Sequence, residues 1–200
     1  MTLYQKVKKV QTLFNQLEAE INSFSQTTGL RCIMSCGRCC IKPNIEASVL
    51  EFLPLAMDYY LQGRAEEMLQ KLSEPNATCH VYTPLHIELG LGSCANYAYR
   101  GLICRLFGMS LSQRQGGALQ LYTCKTIKET QQEEFERTTL MVNQTRKGPM
   151  VGYYYQQLTN IDPQLANLYY PINEATKKAL ELVLHYYAYR RPPRGLKKAG

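Results

Sequence analysis

The residue type with the most chemistry to offer in this chain is cysteine. Four cysteines fall in one short run, Cys32-Ile-Met-Ser-Cys36-Gly-Arg-Cys39-Cys40, and Cys79, Cys94, Cys104 and Cys124 follow. Thiolates bind zinc and hold iron–sulfur clusters, so eight of them in 200 residues point first to metal ligation. The adjacent pair Cys39-Cys40 makes a simple ladder of disulfides awkward. Redox or structural disulfides, and a set of unrelated buried thiols, are the two other readings of the same residues.

Offsets of three and four put Cys36 within one helical turn of Cys32, Cys39 and Cys40 if the run is helical. A sharp turn at Gly37 would gather the same thiols without a helix. Neighbouring side chains diverge, so Cys39 and Cys40 are not expected to play one geometric role. One of them would serve a second metal, a supporting contact or the core. A closed tetrahedral site takes four ligands, of which the run supplies two or three and the distant cysteines the rest. The count of eight also allows two four-thiolate sites without establishing them. An all-thiolate set fits structural zinc, the first expectation, and also mononuclear iron or a [4Fe-4S] cluster.

Other chemistry is sparse. His80 adjoins Cys79 and is a candidate ligand or supporting donor, His86 is a weaker one, and His185 is expected to pack on the last helix. Arg38, Arg100 and Arg105 flank cysteines, where they would offset thiolate charge or hold an anionic substrate. The chain has 15 tyrosines and no tryptophan, a pattern that favours core packing over a ligand-stacking wall. No glycine-rich phosphate loop, nucleotide fingerprint or hydrolytic triad is present.

The ordered cysteines carry a resemblance. Cys32 followed by Ser35-Cys36-Gly37-Arg38-Cys39-Cys40, then Cys79, Cys94-Ala95-Asn96-Tyr97, Arg100 and Cys104-Arg105-Leu106-Phe107, resembles the YkgJ-type CxxCxxCC family of zinc- or iron-chelating domains. Gly101 stands where that family usually has proline. The resemblance spans about residues 30–125 and implies thiolate ligation by Cys32, Cys36, Cys39, Cys40, Cys79, Cys94 and Cys104, with Cys124 matching a less regular trailing position. Some related domains resemble iron–sulfur components of protein-lysine methylation systems, which implies an enzymatic alternative.

The elements that would position these residues read as mostly helical. Leu3, Val7, Val10, Phe14, Leu17, Ile21 and Phe24 recur at steps of three and four, one buried stripe of a helix. Its clean stripe would pack on the chain itself or on a second copy. Helices are expected over 45–61, with Pro54 near its start or kinking it, and over 64–72, 113–121 and 128–142. A turn is expected at Lys147-Gly148-Pro149, and strand composition occurs only near Val151 to Tyr155. Asn173 is a plausible N-cap for a last helix running to about Tyr189.

Composition is that of a folded globular chain, with 45% hydrophobic and 20% charged residues. No apolar stretch approaches the roughly 20 residues that cross a bilayer, and residues 1–11 carry lysines without a following apolar segment. No membrane association and a reducing cytoplasm are therefore expected. The net charge of +7 owes five charges to Arg190, Arg191, Arg194, Lys197 and Lys198, a basic tail that reads as a solvated terminus.

Together these readings give one compact helical domain, 1–200, with irregular cysteine-rich loops organised around a metal centre. Its parts are an N-terminal amphipathic helix (1–28), a cysteine-rich region (30–125), a helical C-terminal part (126–189) and the tail (190–200). The expected function is zinc or iron binding, for structure or for chelation and transfer. The alternatives are an iron–sulfur protein assisting redox chemistry or protein modification, and a zinc-stabilised nucleic-acid module. The metal ion is the expected partner. A protein partner and a homodimer are left open, and nucleic acid is not expected.

Overall fold

The computed structural model describes residues 1–42, 45–86 and 91–192. The N-terminal stripe forms helix α1 (Leu3–Thr28). Thr2 opens it with a capping box: the Gln5 N–H donates to Thr2 Oγ1 at 3.2 Å and the Thr2 N–H to Gln5 Oε1 at 2.9 Å. The stripe is buried within the chain, where α1 packs on α2 (Val49–Leu61) and α7 (Val151–Ile161). The face that sequence left open for a second copy is thus covered by the protein's own helices.

A short strand, β1 (Glu46–Ser48), precedes α2 where the sequence reads as helix from residue 45. It pairs antiparallel with β6 (Tyr169–Pro171), Glu46 opposite Pro171 and Ser48 opposite Tyr169. That pairing sets the starts of α2 and of α9 (Ile172–Tyr187) side by side, and these two helices form the most extensive helix contact of the fold. Pro54 is accommodated inside α2. Helix α3 (Ala65–Ser73) follows and also packs on α9.

The middle of the chain is a hairpin, β2 (Tyr82–His86) with β3 (Leu91–Cys94), then a single 3-10 turn (Tyr97–Tyr99) and the short helix α4 (Leu102–Leu106). The helix expected over 113–121 is instead a second hairpin, β4 (Ser110–Gln113) with β5 (Leu119–Tyr122). Gly116 and Gly117 both hold positive φ, +88° and +85°, a turn that other residues resist. Leu111 faces Leu121 across it, and in β5 burial alternates with period two rather than running along a helix face. Helices α5 (Lys125–Thr130) and α6 (Gln132–Thr145) divide the helix expected over 128–142. Residues 151–155, strand-like in composition, open α7, because Tyr154 and Leu158 one turn apart are both needed in the core. A one-turn helix, α8 (Pro163–Ala166), leads to β6.

Two apolar clusters organise the molecule. The larger joins α1, α2, α3, α4, α7 and α9; the smaller gathers Phe24, Leu30, Met109, Leu111, Leu119, Leu121, Ile127 and Val142. The fold is mostly helical with three two-stranded sheets among the described residues. The expectation that cysteine-rich loops are organised around a metal centre is corrected: among the described residues no group of three or more His, Cys, Asp or Glu is placed to hold a metal ion. No described helix is long and apolar enough to cross a membrane. Most of the basic tail, with Arg194, Lys197 and Lys198, lies outside the described residues.

Candidate functional site

The run that carries Cys32, Cys36, Cys39 and Cys40 forms turns rather than a helix. Its shape follows from two residues at left-handed φ, Ser35 and Gly37, both at +57°. A Cβ on Gly37 would fall 2.9 Å from the Gly92 carbonyl oxygen and 2.6 Å from the Tyr82 ring, so the loop can press onto the hairpin only at a glycine. Backbone bonds secure the contact. The Gly92 N–H donates to Ser35 O at 2.9 Å, the Cys79 N–H to Cys40 O at 2.9 Å, and the Cys40 N–H to Gly37 O at 2.8 Å.

Docking of the loop on the β2–β3 hairpin brings distant cysteines to one place. Cys79 enters the hairpin, Cys94 opposes Tyr82 in its register, and Cys104 comes from α4. Cys32, Cys36, Cys39, Cys40, Cys79, Cys94 and Cys104 line one cavity of about 400 Å³, with Tyr97, Tyr99 and Arg100. A second cavity of about 570 Å³ lies on the far side of Cys39 and Cys104, which line both. Cys124 stands apart at the start of α5, where its sulfur accepts the Ile127 N–H at 3.4 Å. All eight cysteines are free thiols.

The thiols surround the cavity without converging. A tetrahedral four-thiolate centre with metal–sulfur bonds of about 2.3 Å needs sulfurs about 3.8 Å apart in a closed set. The thiol–thiol contact in the wall is Cys39 with Cys40, at 4.0 Å, and adjacent residues cannot bring two further thiols onto one point. The zinc, iron and iron–sulfur expectations, the metal ion as partner, and the zinc-stabilised nucleic-acid module that depended on it are corrected on this ground.

Electrostatics divide the thiols. The Cys40 S–H bonded to Cys39 holds the Cys39 thiol down to about 6, helped by the Arg100 charge and backbone N–H groups against desolvation. Its partner Cys40 is pushed far up by the same bond and by burial. Burial pushes Cys79 up to about 11 and Cys104 up to about 12 and raises Cys94, while partial desolvation raises the otherwise exposed Cys32. The two thiols titrate as a pair, in which the remaining S–H of one favours ionisation of the other.

Arg100 is the cation of this wall, with its guanidinium over the Tyr97 ring at 4.5 Å and bonded to the Cys104 carbonyl. Arg105 holds Arg100 in place: its Nε donates to Arg100 O at 3.0 Å, its Nη2 to Ala98 O at 2.7 Å, and its Nη1 to Glu18 Oε2 at 2.6 Å. Arg38, by contrast, is exposed and reaches Thr126. Gly101, where the resembled family has proline, packs against Phe52 and Glu51; an added Cβ would sit 3.0 Å from Phe52 Cζ.

Of the histidines, His80 is half-buried next to Cys79 in the chain, and desolvation pushes it down to about 4 despite Asn173. Its backbone N–H donates to Asn173 Oδ1 at 2.9 Å, and its Nε2 lies 3.5 Å from the Tyr59 hydroxyl, which also accepts from Asn96 at 3.0 Å. His80 thus anchors its segment to α9. Asn173 does not cap α9 with its side chain, because that amide also donates to Asn76 O and Thr78 O. His86 ends β2, and His185 is exposed on α9 instead of packing.

Sequence reasoning passed over Glu51 and Tyr59. Glu51, fully buried, accepts the Ser48 N–H and hydroxyl at 3.0 Å each and the Ile103 N–H at 2.9 Å. The Ser48-x-x-Glu51 spacing is the capping-box signal that could have found it. Nothing in the sequence marks Tyr59, which reaches the site only through the packing of α2.

The chain matches no family model, no curated protein and no solved structure. The resemblance to the YkgJ-type chelating domains is corrected accordingly: the cysteine order is similar, but no metal-holding group accompanies it among the described residues.

Proposed function

We propose that this protein performs thiol–disulfide exchange, with Cys39 as the attacking thiolate and Cys40 as the thiol that completes the reaction. The observation that carries this reading is the Cys39–Cys40 contact of 4.0 Å on the wall of an accessible cavity, beside Arg100. A thiol with a pKa near ambient pH combines sufficient ionisation with nucleophilicity, and the half-buried Arg100 cation favours its charged form. The Cys39 thiolate attacks one sulfur of a substrate disulfide, forming a mixed disulfide and expelling the other sulfur as thiolate. That thiolate takes the Cys40 proton. Cys40 then attacks the Cys39 sulfur and releases the second substrate thiolate, which is protonated by solvent. One substrate disulfide becomes two thiols, and the protein dithiol becomes a disulfide.

Eight free thiols suit a reducing compartment, and the cytoplasm is the location this reading assigns. It also treats residues 1–200 as one working domain, because α4, the hairpin and the cysteine loop all contribute to one wall.

The test is the reaction of reduced protein with an aromatic disulfide whose released thiolate absorbs visible light. At pH 7 a fast phase is expected that Cys39→Ser abolishes and Cys36→Ser retains. An unchanged fast phase in Cys39→Ser would overturn the assignment.

A further inference from the structure

We propose a second redox site at the outer end of the cysteine loop, where Cys32 and Cys124 form a reversible disulfide that straps the loop to α5. Two attachments place these segments together. The Arg31 N–H donates to Gln131 Oε1 at 2.9 Å and Gln131 Nε2 to Arg31 O at 2.8 Å; farther along the loop, Arg38 Nη1 donates to Thr126 Oγ1 at 3.3 Å. They bracket Cys32 on the loop and nearly the whole of α5 on the other side. Cys124 caps that helix two residues before Thr126.

The two thiols are suited to the task by position. Cys32 is the exposed cysteine of the chain and is one of the cavity's lining residues. Cys124 is the cysteine outside the cavity wall, so it takes no part in the inner pair. The charge of a Cys124 thiolate is felt at Cys32, which agrees with their closeness. The left-handed turns at Ser35 and Gly37 follow Cys32 in the loop, and the strap requires its Cβ and that of Cys124 to reach the disulfide spacing of about 3.8 Å.

The oxidant is a low-molecular-weight disulfide. The Cys32 thiolate attacks it, forms a mixed disulfide and releases one small thiolate. Deprotonated Cys124 then attacks the Cys32 sulfur and releases the second. Two protein thiols become one disulfide while the small disulfide becomes two thiols. The strap tethers the limb that carries Cys32 on the cavity wall, and its formation is independent of whether Cys39 is the inner nucleophile.

The experiment incubates the reduced full chain with excess oxidised glutathione at pH 8, alkylates the remaining thiols and maps peptides without reduction. A Cys32–Cys124 linked peptide is expected beside the Cys39–Cys40 disulfide of the inner pair, together with a Tm rise of roughly 5–15 °C from closing so long a loop. Cys124→Ser keeps a good helix cap, so it is expected to fold, to lose the cross-link and the Tm rise, and to keep the fast aromatic-disulfide phase. Recovery of Cys32 unlinked, or its linkage to a cavity cysteine in place of Cys124, would overturn the proposal.

Discussion

Cys39 differs from the other cavity thiols because its neighbour in sequence is also its proton donor. Burial alone raises a thiol, as at Cys79 and Cys104; the Cys40 hydrogen bond and the Arg100 charge reverse that at Cys39. A second residue holds the scaffold of the wall. Glu51 joins the start of α2 to α4 through three accepted hydrogen bonds in a fully buried site. Glu51→Ala leaves those donors without an acceptor, and a loss of about 3–5 kcal/mol is expected in urea unfolding. Glu51→Gln keeps one carbonyl acceptor and should lose less than half as much. Equal losses in the two variants would show that the bonds are not what Glu51 supplies.

At the scale of elements, the loop–hairpin contact sets the cavity, and its two glycines differ. The three atoms nearest an added Cβ at Gly92 all belong to the Tyr82 side chain, the first 2.2 Å away, whereas at Gly37 it also meets the Gly92 backbone in a left-handed conformation. Both Gly92→Ala and Gly37→Ala should destabilise the protein, by about 1–3 kcal/mol each. Adding Tyr82→Ala should recover most of the Gly92→Ala loss and little of the Gly37→Ala loss, a coupling that a double-mutant cycle reads directly. The sharp turn at Gly37 was legible in the sequence, as were the α1 stripe and the extents of α3 and α9. The β4–β5 hairpin was not, although Gly116-Gly117 between alternating leucines is a hairpin signal. The α7 start misled because Val-Gly-Tyr-Tyr-Tyr has strand composition while its environment demands a helix face. The cysteines read in the sequence as one metal-ligand set, whereas seven of them line a cavity and Cys124 stands apart. Whether they would converge on a point or ring a cavity depended on the hairpin register and loop docking, which cysteine spacing does not encode.

At the scale of the whole molecule, the thiols and His80 shape stability against pH. Burial keeps His80 neutral down to about 4, below its ordinary value of 6.5, so the unfolded chain binds more protons in between. Stability should fall as pH drops through that window, and His80→Gln should flatten the fall. Cys39 is ionised in the native state from about 6 and in the unfolded state only from 9.0, which adds stability as pH rises between them. Above 9.0 the sign reverses: native Cys40, Cys79 and Cys104 keep protons that the unfolded chain releases. Urea midpoints measured with reductant present should therefore peak near pH 8–9 and decline on the alkaline side, with a shallower decline in Cys104→Ala. A midpoint that keeps rising to pH 10.5 would contradict the burial of these thiols.

The ionisation of Cys39 is tested by competitive alkylation of the reduced native protein between pH 5 and 9, with each cysteine quantified by mass spectrometry. Cys39 is expected to react first, with a midpoint near 6, and in Arg100→Gln that midpoint should move upward. If Cys39 instead titrates with the ordinary thiol value of about 8.5, or reacts no sooner than Cys79 and Cys104, the exchange reaction assigned to this cavity fails.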